Sequence, residues 1–352
     1  MNLSLALALA EESDHFDRLP DEVVLLIFHS IGDARSLFRC LCVCKRFSCL
    51  VPRVRSLHLS LPRRKPISRP TSLFNCFTLF FSKFISKPLK HLCRIKPSSS
   101  TSSESNSLNR VLRNFREIDS MHIKLPFYGG IDQCGGVAAD GFDSLVKWKA
   151  EFGRDLKSCV IMGATSLQRI GEEQETEQGQ EDEQVELELL TEREVRLRVV
   201  WIISSLISAS ARHHFLKQIL SDHPMLRSVV VSDGNNQGKL CMGKEQLVEM
   251  RDSMKESLMV VGSNSNTKTW LERTPVPELS IKMSHVRVLE LPETGYKMRG
   301  ATLVEMRAVS GETKGNEGNS GFDGEGEEKA FGEAVREMLK VKKSYAMTMN
   351  AF

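Results

Sequence analysis

Three cysteines alternate at Cys40, Cys42 and Cys44, and two histidines, His58 and His122, stand at the same place in two copies of one short phrase. Cysteine and histidine ligate zinc, so both groups raise metal binding first. The cysteine run does not suit it. Alternate positions on a helix project their thiols in divergent directions and leave no closed tetrahedral set, so these cysteines read as small core residues and no metal site is expected. The two histidines come from distant strands and read as polar surface, with no ligand role. Paired carboxylates, the raw material of general acid and base catalysis, are abundant only between Glu172 and Glu188, where solvation leaves them ordinary acids. Gly129-Gly130 and Gly135-Gly136 lie in a turn-rich stretch without a strand before and a helix after, so they read as loop and not as a phosphate cradle. A phosphate loop, a His-Glu-x-x-His, a Gly-x-Ser-x-Gly elbow and a complete dinucleotide fingerprint are all missing. No catalytic residue and no cofactor is expected, which leaves binding as the chemistry on offer.

The chain that must position such binding groups has 352 residues, 41% hydrophobic and 26% charged, close to an ordinary globular protein. One large domain and a small one fit this length. The longest apolar run, Val199 to Ala211, falls short of the roughly 20 residues a bilayer span needs, so no transmembrane helix is expected. Met1 to Ala10 lacks a basic start and is followed by Glu11, Glu12 and Asp14, which argues against a secretory signal. Nine scattered cysteines agree with a reducing compartment, and the expected location is the nucleus and/or the cytoplasm. The net charge of +3 hides an asymmetry: no acidic residue occurs from Ala34 to Ser103. Such blocks are usually solvated loops.

Near the amino end, Phe16-Asp17-Arg18-Leu19-Pro20-Asp21-Glu22 has the form of a helix start, since proline suits the first helical position and acids suit the positive end of the dipole. Apolar residues follow at Val23, Val24, Ile27, Phe28 and Ile31, and Gly32 can take the left-handed stop. Asp33 can cap a second helix, in which Leu37, Cys40, Leu41 and Cys44 keep helical spacing, with Phe47 and Leu50 one turn on. So short a unit cannot bury much area, and its helices are apolar on more than one face. Part of that surface therefore awaits a partner.

Leu19-Pro20-Asp21-Glu22, Ile27-Phe28, Ile31-Gly32-Asp33, Ser36-Leu37, Arg39-Cys40 and Val43-Cys44-Lys45-Arg46-Phe47 together resemble the F-box, with the module bounded at residues 14–52. The resemblance implies binding to a Skp-type adaptor, and through it to cullin and RING subunits. Carried over by position, Leu19, Pro20, Ile27, Leu37, Val43, Cys44 and Phe47 line or support that interface.

Beyond it, residues 53–352 repeat a phrase: Val54-Arg55-Ser56-Leu57-His58-Leu59, Ile118-Asp119-Ser120-Met121-His122-Ile123, Leu156-Lys157-Ser158-Cys159-Val160-Ile161 and Leu226-Arg227-Ser228-Val229-Val230-Val231. A fifth, Val286 to Leu291, lacks the serine. Each ends like a short strand. Helical patterns precede most of them, at Leu108 to Phe115, Leu145 to Phe152 and Phe215 to Leu220. Helix-then-strand units predict an α/β domain with a mostly parallel sheet and helices on one side, a degenerate, insertion-laden version of leucine-rich-repeat logic. Alternation then turns Leu57, Leu59, Met121, Ile123, Cys159, Ile161, Val229, Val231, Leu289 and Leu291 toward the helices. Ser56, His58, Ser120, His122, Lys124, Ser158, Ser228 and Glu290 form the open face, the candidate surface for a substrate protein. Leu189 to Leu220 is the strongest helical tract, with a core series Val195, Val199, Ile202, Ile203, Leu206 and Ile207, and with Trp201 in the core. A helix from about Glu328 to Lys340 precedes a terminal edge strand, Tyr345 to Asn350.

Val146 to Gly153, Leu197 to Trp201 with Ser208 to His213, Gly300 to Val304 and the ending Met349-Asn350-Ala351-Phe352 are similar to plant F-box proteins of the auxin up-regulated group, with Ala351 where a serine is usual. That resemblance implies the substrate-recognition subunit of a Skp, cullin and F-box ubiquitin ligase, non-catalytic itself and placed in plant hormone response. Inserts near 62–106, 171–184 and 310–327 interrupt it and read as disordered. Phe74, Phe77, Phe81 and Phe84, flanked by lysines, give the alternative: a membrane-surface or nucleic-acid interaction protein, with membrane contact through residues 73–95 and nucleic acid the lesser expectation.

Overall fold

The computed structural model describes residues 16, 18–61, 111–126, 145–171, 191–234, 236–260, 274–309, 322 and 326–352. Helix α1 spans Asp21–Ile31, begins after Pro20 with Asp21 and Glu22 in its first turn, and ends at Gly32. Gly32 sits at φ 57°, a left-handed turn that a side chain resists, and its N–H donates to the Phe28 carbonyl. The Asp33 carboxylate accepts from the Ser36 N–H at 2.8 Å and starts α2, Ala34–Cys40. Helix α3, Lys45–Leu50, is capped by the Cys44 sulfur, and a single 3-10 turn, Val51–Arg53, leads straight into strand β1, Ser56–Ser60.

The remaining strands are β2 Ser120–Leu125, β3 Leu145–Phe152, β4 Leu156–Ala164, β5 Ser166–Arg169, β6 Ser228–Asp233, β7 Gly238–Met242, β8 Leu279–Leu291, β9 Tyr296–Ala308 and β10 Tyr345–Met349. They form one sheet in the order β1-β2-β6-β7-β3-β4-β9-β8-β10, with β5 on β9. The α/β class and the helical amino-terminal unit are as expected. The sheet, however, is mixed. Only β1–β2, β2–β6 and β3–β7 pair in parallel, and the other pairs are antiparallel. Direct connections such as β3–β4 and β8–β9 make antiparallel neighbours, which a parallel crossover cannot. The recurring phrase is real in the parallel part: Ser56 pairs with Ser120 and Ser120 with Ser228. Leu145 to Phe152 is a strand and not a helix. Flanking strands β4 and β7 pair with both its edges, and Trp148, Ala150 and Phe152 alternate into the core, so tertiary pairing overrides a pattern that short runs leave ambiguous.

Helices cover both faces, not one. Helices α4, Glu192–Asp222, and α5, Lys244–Val260, lie on the face of Leu57, Met121, Val229 and Ile161; α6, Glu327–Leu339, packs on the other face over Met162 and Leu303. Leu291 and the half-buried Leu289 join this second cluster. Of the expected α4 stripe, Ile202 and Leu206 are buried with Trp201, but Val195 and Val199 face outward, and the buried side also takes Leu216 with Arg198, Arg212 and His213. Those three polar residues make the buried face look hydrophilic, which is why periodicity misplaces it. Arg212 holds the Gly238 carbonyl at 2.9 Å, pairs with Asp233 and lies 4.5 Å over Trp148. Val24, Phe28, Leu37 and Leu50 of the first helices share one core with Leu57, Met121 and Val229 of the sheet. The small unit therefore has no core of its own to separate it from the sheet.

Candidate functional site

Two surfaces carry the residues singled out in the sequence. The first is the outer face of the amino-terminal helices. Val24 and Phe28 point into the core, so the 3.6-residue period sends Val23 and Leu26 outward, where both are exposed, and Ile31 is exposed at the last position of the helix. Phe47 meets Phe28 edge to face at 5.1 Å and Phe16 at 5.9 Å, which leaves it half-buried beside the half-buried Leu19. Arg46 ties the leading segment down: it pairs with Asp21 at 2.8 Å, donates to the Phe16 carbonyl at 2.7 Å and donates to the Leu19 carbonyl. That three-way clamp was not read from the sequence, because its partners lie 25 to 30 positions away.

The expected residues separate into roles. Pro20 and Val43 are exposed and Ile27 is half-exposed, so they are available to a partner. Cys44 is exposed too, but its sulfur accepts from the Phe47 N–H at 3.4 Å as a helix cap. Leu37 is 0% exposed; it holds α2 against the core and so can support the helix face from beneath but not line it. Cys42 and Cys44 are surface residues and not core, and only Cys40 is partly buried, its thiol pushed up by that burial. Sequence reasoning missed Leu26 and Phe16. Leu26 is 65% exposed, and the signal was its neighbour's spacing, since one stripe served both core and surface.

The second surface is the sheet face opposite α4. Register sets His58, His122, Val230, Cys241, Glu151 and Ser158 in one continuous row, with Ser56, Ser120 and Ser228 in the row on one side of it and Ser60, Lys124, Ser232, Lys239 and Lys149 in the row on the other. Seven of the eight expected face residues are thus brought to one surface. Glu290 is not. It sits toward the β8–β9 turn, across from Lys297 at 3.9 Å. The His58 and His122 rings meet edge to face at 5.6 Å, and His122 Nε2 lies 2.8 Å from the Ser232 hydroxyl. Burial, then the neighbouring His58, Lys124 and Lys239, hold the His122 imidazole below its usual range, so the charges around it are positive. Lys149 pairs with Glu151 at 3.1 Å, and Lys239 pairs with Glu328 of α6.

The two surfaces meet at Gly32. His58 N–H donates to the Gly32 carbonyl at 2.8 Å, and Asp33 bridges to His58 in parallel, so the α1–α2 turn extends the sheet edge. A Cβ at Gly32 would come within 2.9 Å of the His58 ring. A cleft of about 620 Å³ lies beside α3 and the turn after it, lined by Ser48 and Pro52 with Arg53, Arg113, Arg116 and Glu117. Among the described residues no group of three His, Cys, Asp or Glu side chains is placed to hold a metal, and no helix is long and apolar enough to cross a membrane. The arrangement offers apolar and cationic surface for contact. The basic phenylalanine-bearing insert with residues 73–95, the glycine doublets and most of the acidic insert lie outside the described residues.

Residues 16–58 match the F-box-like family, a span that ends at the junction histidine. The chain is 34% identical to F-box protein At4g18380 of Arabidopsis thaliana over 97% of its own length and 95% of the relative's. It is 33% identical to F-box protein AUF2 and 31% identical to F-box protein AUF1 of the same plant, covering 96% of this chain and 100% of each relative. No solved structure matches it. With the exposed helix face in place and the likeness running nearly end to end, the chain belongs to the family of F-box proteins that includes AUF1 and AUF2.

Proposed function

We propose that this chain is the substrate-recognition subunit of an adaptor, cullin and RING ubiquitin ligase, non-catalytic itself and working in the nucleus and/or the cytoplasm. Residues 14–52 hold a Skp-type adaptor, and the sheet domain, 53–352, holds a substrate protein. The observation that carries this reading is the exposure of Val23, Leu26 and Ile31 together with Pro20 and Val43, apolar side chains left in water on a module that matches the F-box-like family. Exposed apolar area of that kind is stable in solution only at a cost, and a partner helix or loop removes it. The reaction belongs to the assembled ligase. This chain supplies proximity, converting an encounter between ubiquitin carrier and substrate lysine into an effectively intramolecular event. The shared core supports the geometry, since a receptor whose two binding surfaces sit on one rigid body fixes the substrate's position relative to the adaptor. The likeness to AUF1 and AUF2 supports a place in hormone response. The test is reconstitution: the full chain co-expressed with a Skp-type adaptor should elute as one stoichiometric complex that then recruits cullin. Elution of the two proteins apart would sink the reading.

A further inference from the structure

Among the described residues, helix α6 covers its face of the sheet only over the carboxy-terminal half and reaches inward as far as Lys239, and no other described element covers that face over β1, β2 and β6. What stands there is mostly positive, because the carboxylates on that side are already engaged: Asp33, bridged to His58, caps the Ser36 N–H at 2.8 Å, and Glu151 and Glu328 hold Lys149 and Lys239. Among the described residues no carboxylate is paired with His58, His122 or Lys124, although these lie on adjacent strands within one row of each other. Burial first, and after it the neighbouring His58, Lys124 and Lys239, disfavour the His122 imidazole as a cation, and an arriving anion would offset the second of these. Ser60, Ser56 and Ser120 add hydroxyls along the rows.

We propose that this open face is where the substrate protein docks, and that it takes an extended acidic segment whose side-chain anions lie against His58, His122 and Lys124. The inference rests on the receptor reading above and names the class of substrate. A polypeptide fits better than the other polyanions. Along the described residues of this part of the face no Phe, Tyr or Trp points outward for a nucleic-acid base to stack on, and no exposed apolar side chain is available to enter a lipid surface. An extended chain also suits a flat strand surface whose side chains recur every second residue. The anchor is fixed relative to the adaptor side, because His58 is hydrogen-bonded to Gly32 of the α1–α2 turn at 2.8 Å.

The test uses the full chain co-purified with its adaptor and three fluorescent peptide pools of matched length, with glutamate, phosphoserine or glutamine at their central positions. Fluorescence anisotropy should show the glutamate and phosphoserine pools binding about tenfold or more tightly than the glutamine pool, as charge-assisted contacts require. The phosphoserine arm reports whether the charge comes from a modification. The triple variant His58→Ala, His122→Ala, Lys124→Ala should bind all three pools equally. Because His122 is partly buried and its ring meets that of His58, Lys124→Glu serves as a second variant at an exposed position and should weaken the acidic pools without changing the melting temperature. Equal binding of the three pools by the wild type, an unchanged preference in Lys124→Glu, or tighter binding of a single-stranded DNA oligonucleotide than of either acidic pool would overturn the proposal. Adaptor capture in the same preparation separates the two ideas. Captured adaptor with indifferent pools defeats the docking inference alone, whereas absent adaptor defeats the receptor reading whatever the pools do.

Discussion

Leu26→Ala with Val43→Ala separates contact from support on the amino-terminal helices. Leu26 is 65% exposed and Val43 68%, so neither contributes much to the chain's own fold. Leucine to alanine removes three carbons and valine to alanine two; at about 0.8 kcal/mol per buried methylene, scaled by those exposures, their cover by an adaptor is worth roughly 2.6 kcal/mol. At about 1.4 kcal/mol per tenfold, the dissociation constant should rise by about 75-fold. Titration calorimetry against purified adaptor reads that number, and circular dichroism of the free chain should show an unchanged melting temperature. Leu37→Ala is the contrast. It opens a cavity in the shared core and should cost about 2–5 kcal/mol of stability, with adaptor affinity intact at temperatures where the variant remains folded. A double variant that binds the adaptor within about threefold of wild type would refute the assignment of this face.

Three further outcomes follow from packing. His213 is fully buried, stacked on Phe152 at 4.4 Å, and its imidazole is held down to about 3, chiefly by burial. Its Nε2–H donates to the Gly153 carbonyl at 3.0 Å, so Nδ1, 2.7 Å from the Thr274 hydroxyl, is the acceptor and the ring is neutral. The folded value lies below the unfolded one, so this stability is complete above about pH 6.5 and falls by about 1.4 kcal/mol per pH unit beneath it until the folded value is reached. Melting curves between pH 7.5 and 5 should show that slope, reduced in His213→Met; a slope unchanged in the variant would contradict the argument. A Cβ at Gly163 would stand 2.3 Å from the Trp201 ring, so Gly163→Ala should lose about 2–3 kcal/mol in denaturant titration, partly restored by Trp201→Phe if the clash is the cause. Glu333, fully buried, accepts from the Glu293 and Thr294 N–H groups at 2.8 and 2.9 Å and from the Thr294 hydroxyl at 2.6 Å. Glu333→Ala leaves two amides without their acceptor and should cost about 3 kcal/mol, visible as a lower melting temperature.

Local chemistry was legible wherever it depends on near neighbours in the chain. Asp33 as a cap, Gly32 as a left-handed stop, the long helix through Trp201 and the terminal edge strand all follow from residues within a turn or two of each other. The serine-bearing phrase even anticipates the register of three parallel strands, because equivalent strands bury equivalent positions. The family, too, could be recognised from spaced residues alone. What the chain order could not reveal was which neighbour each strand would take and which side of α1 would face water. The burial of Leu37 beside the exposure of Leu26, the mixing of parallel and antiparallel pairs, the strand at Leu145–Phe152, and the helix packed on the second face over Met162 and Leu303 were decided by long-range packing. Periodicity says that a residue has an inside and an outside; only the assembled sheet and its helices say which of the two is already occupied.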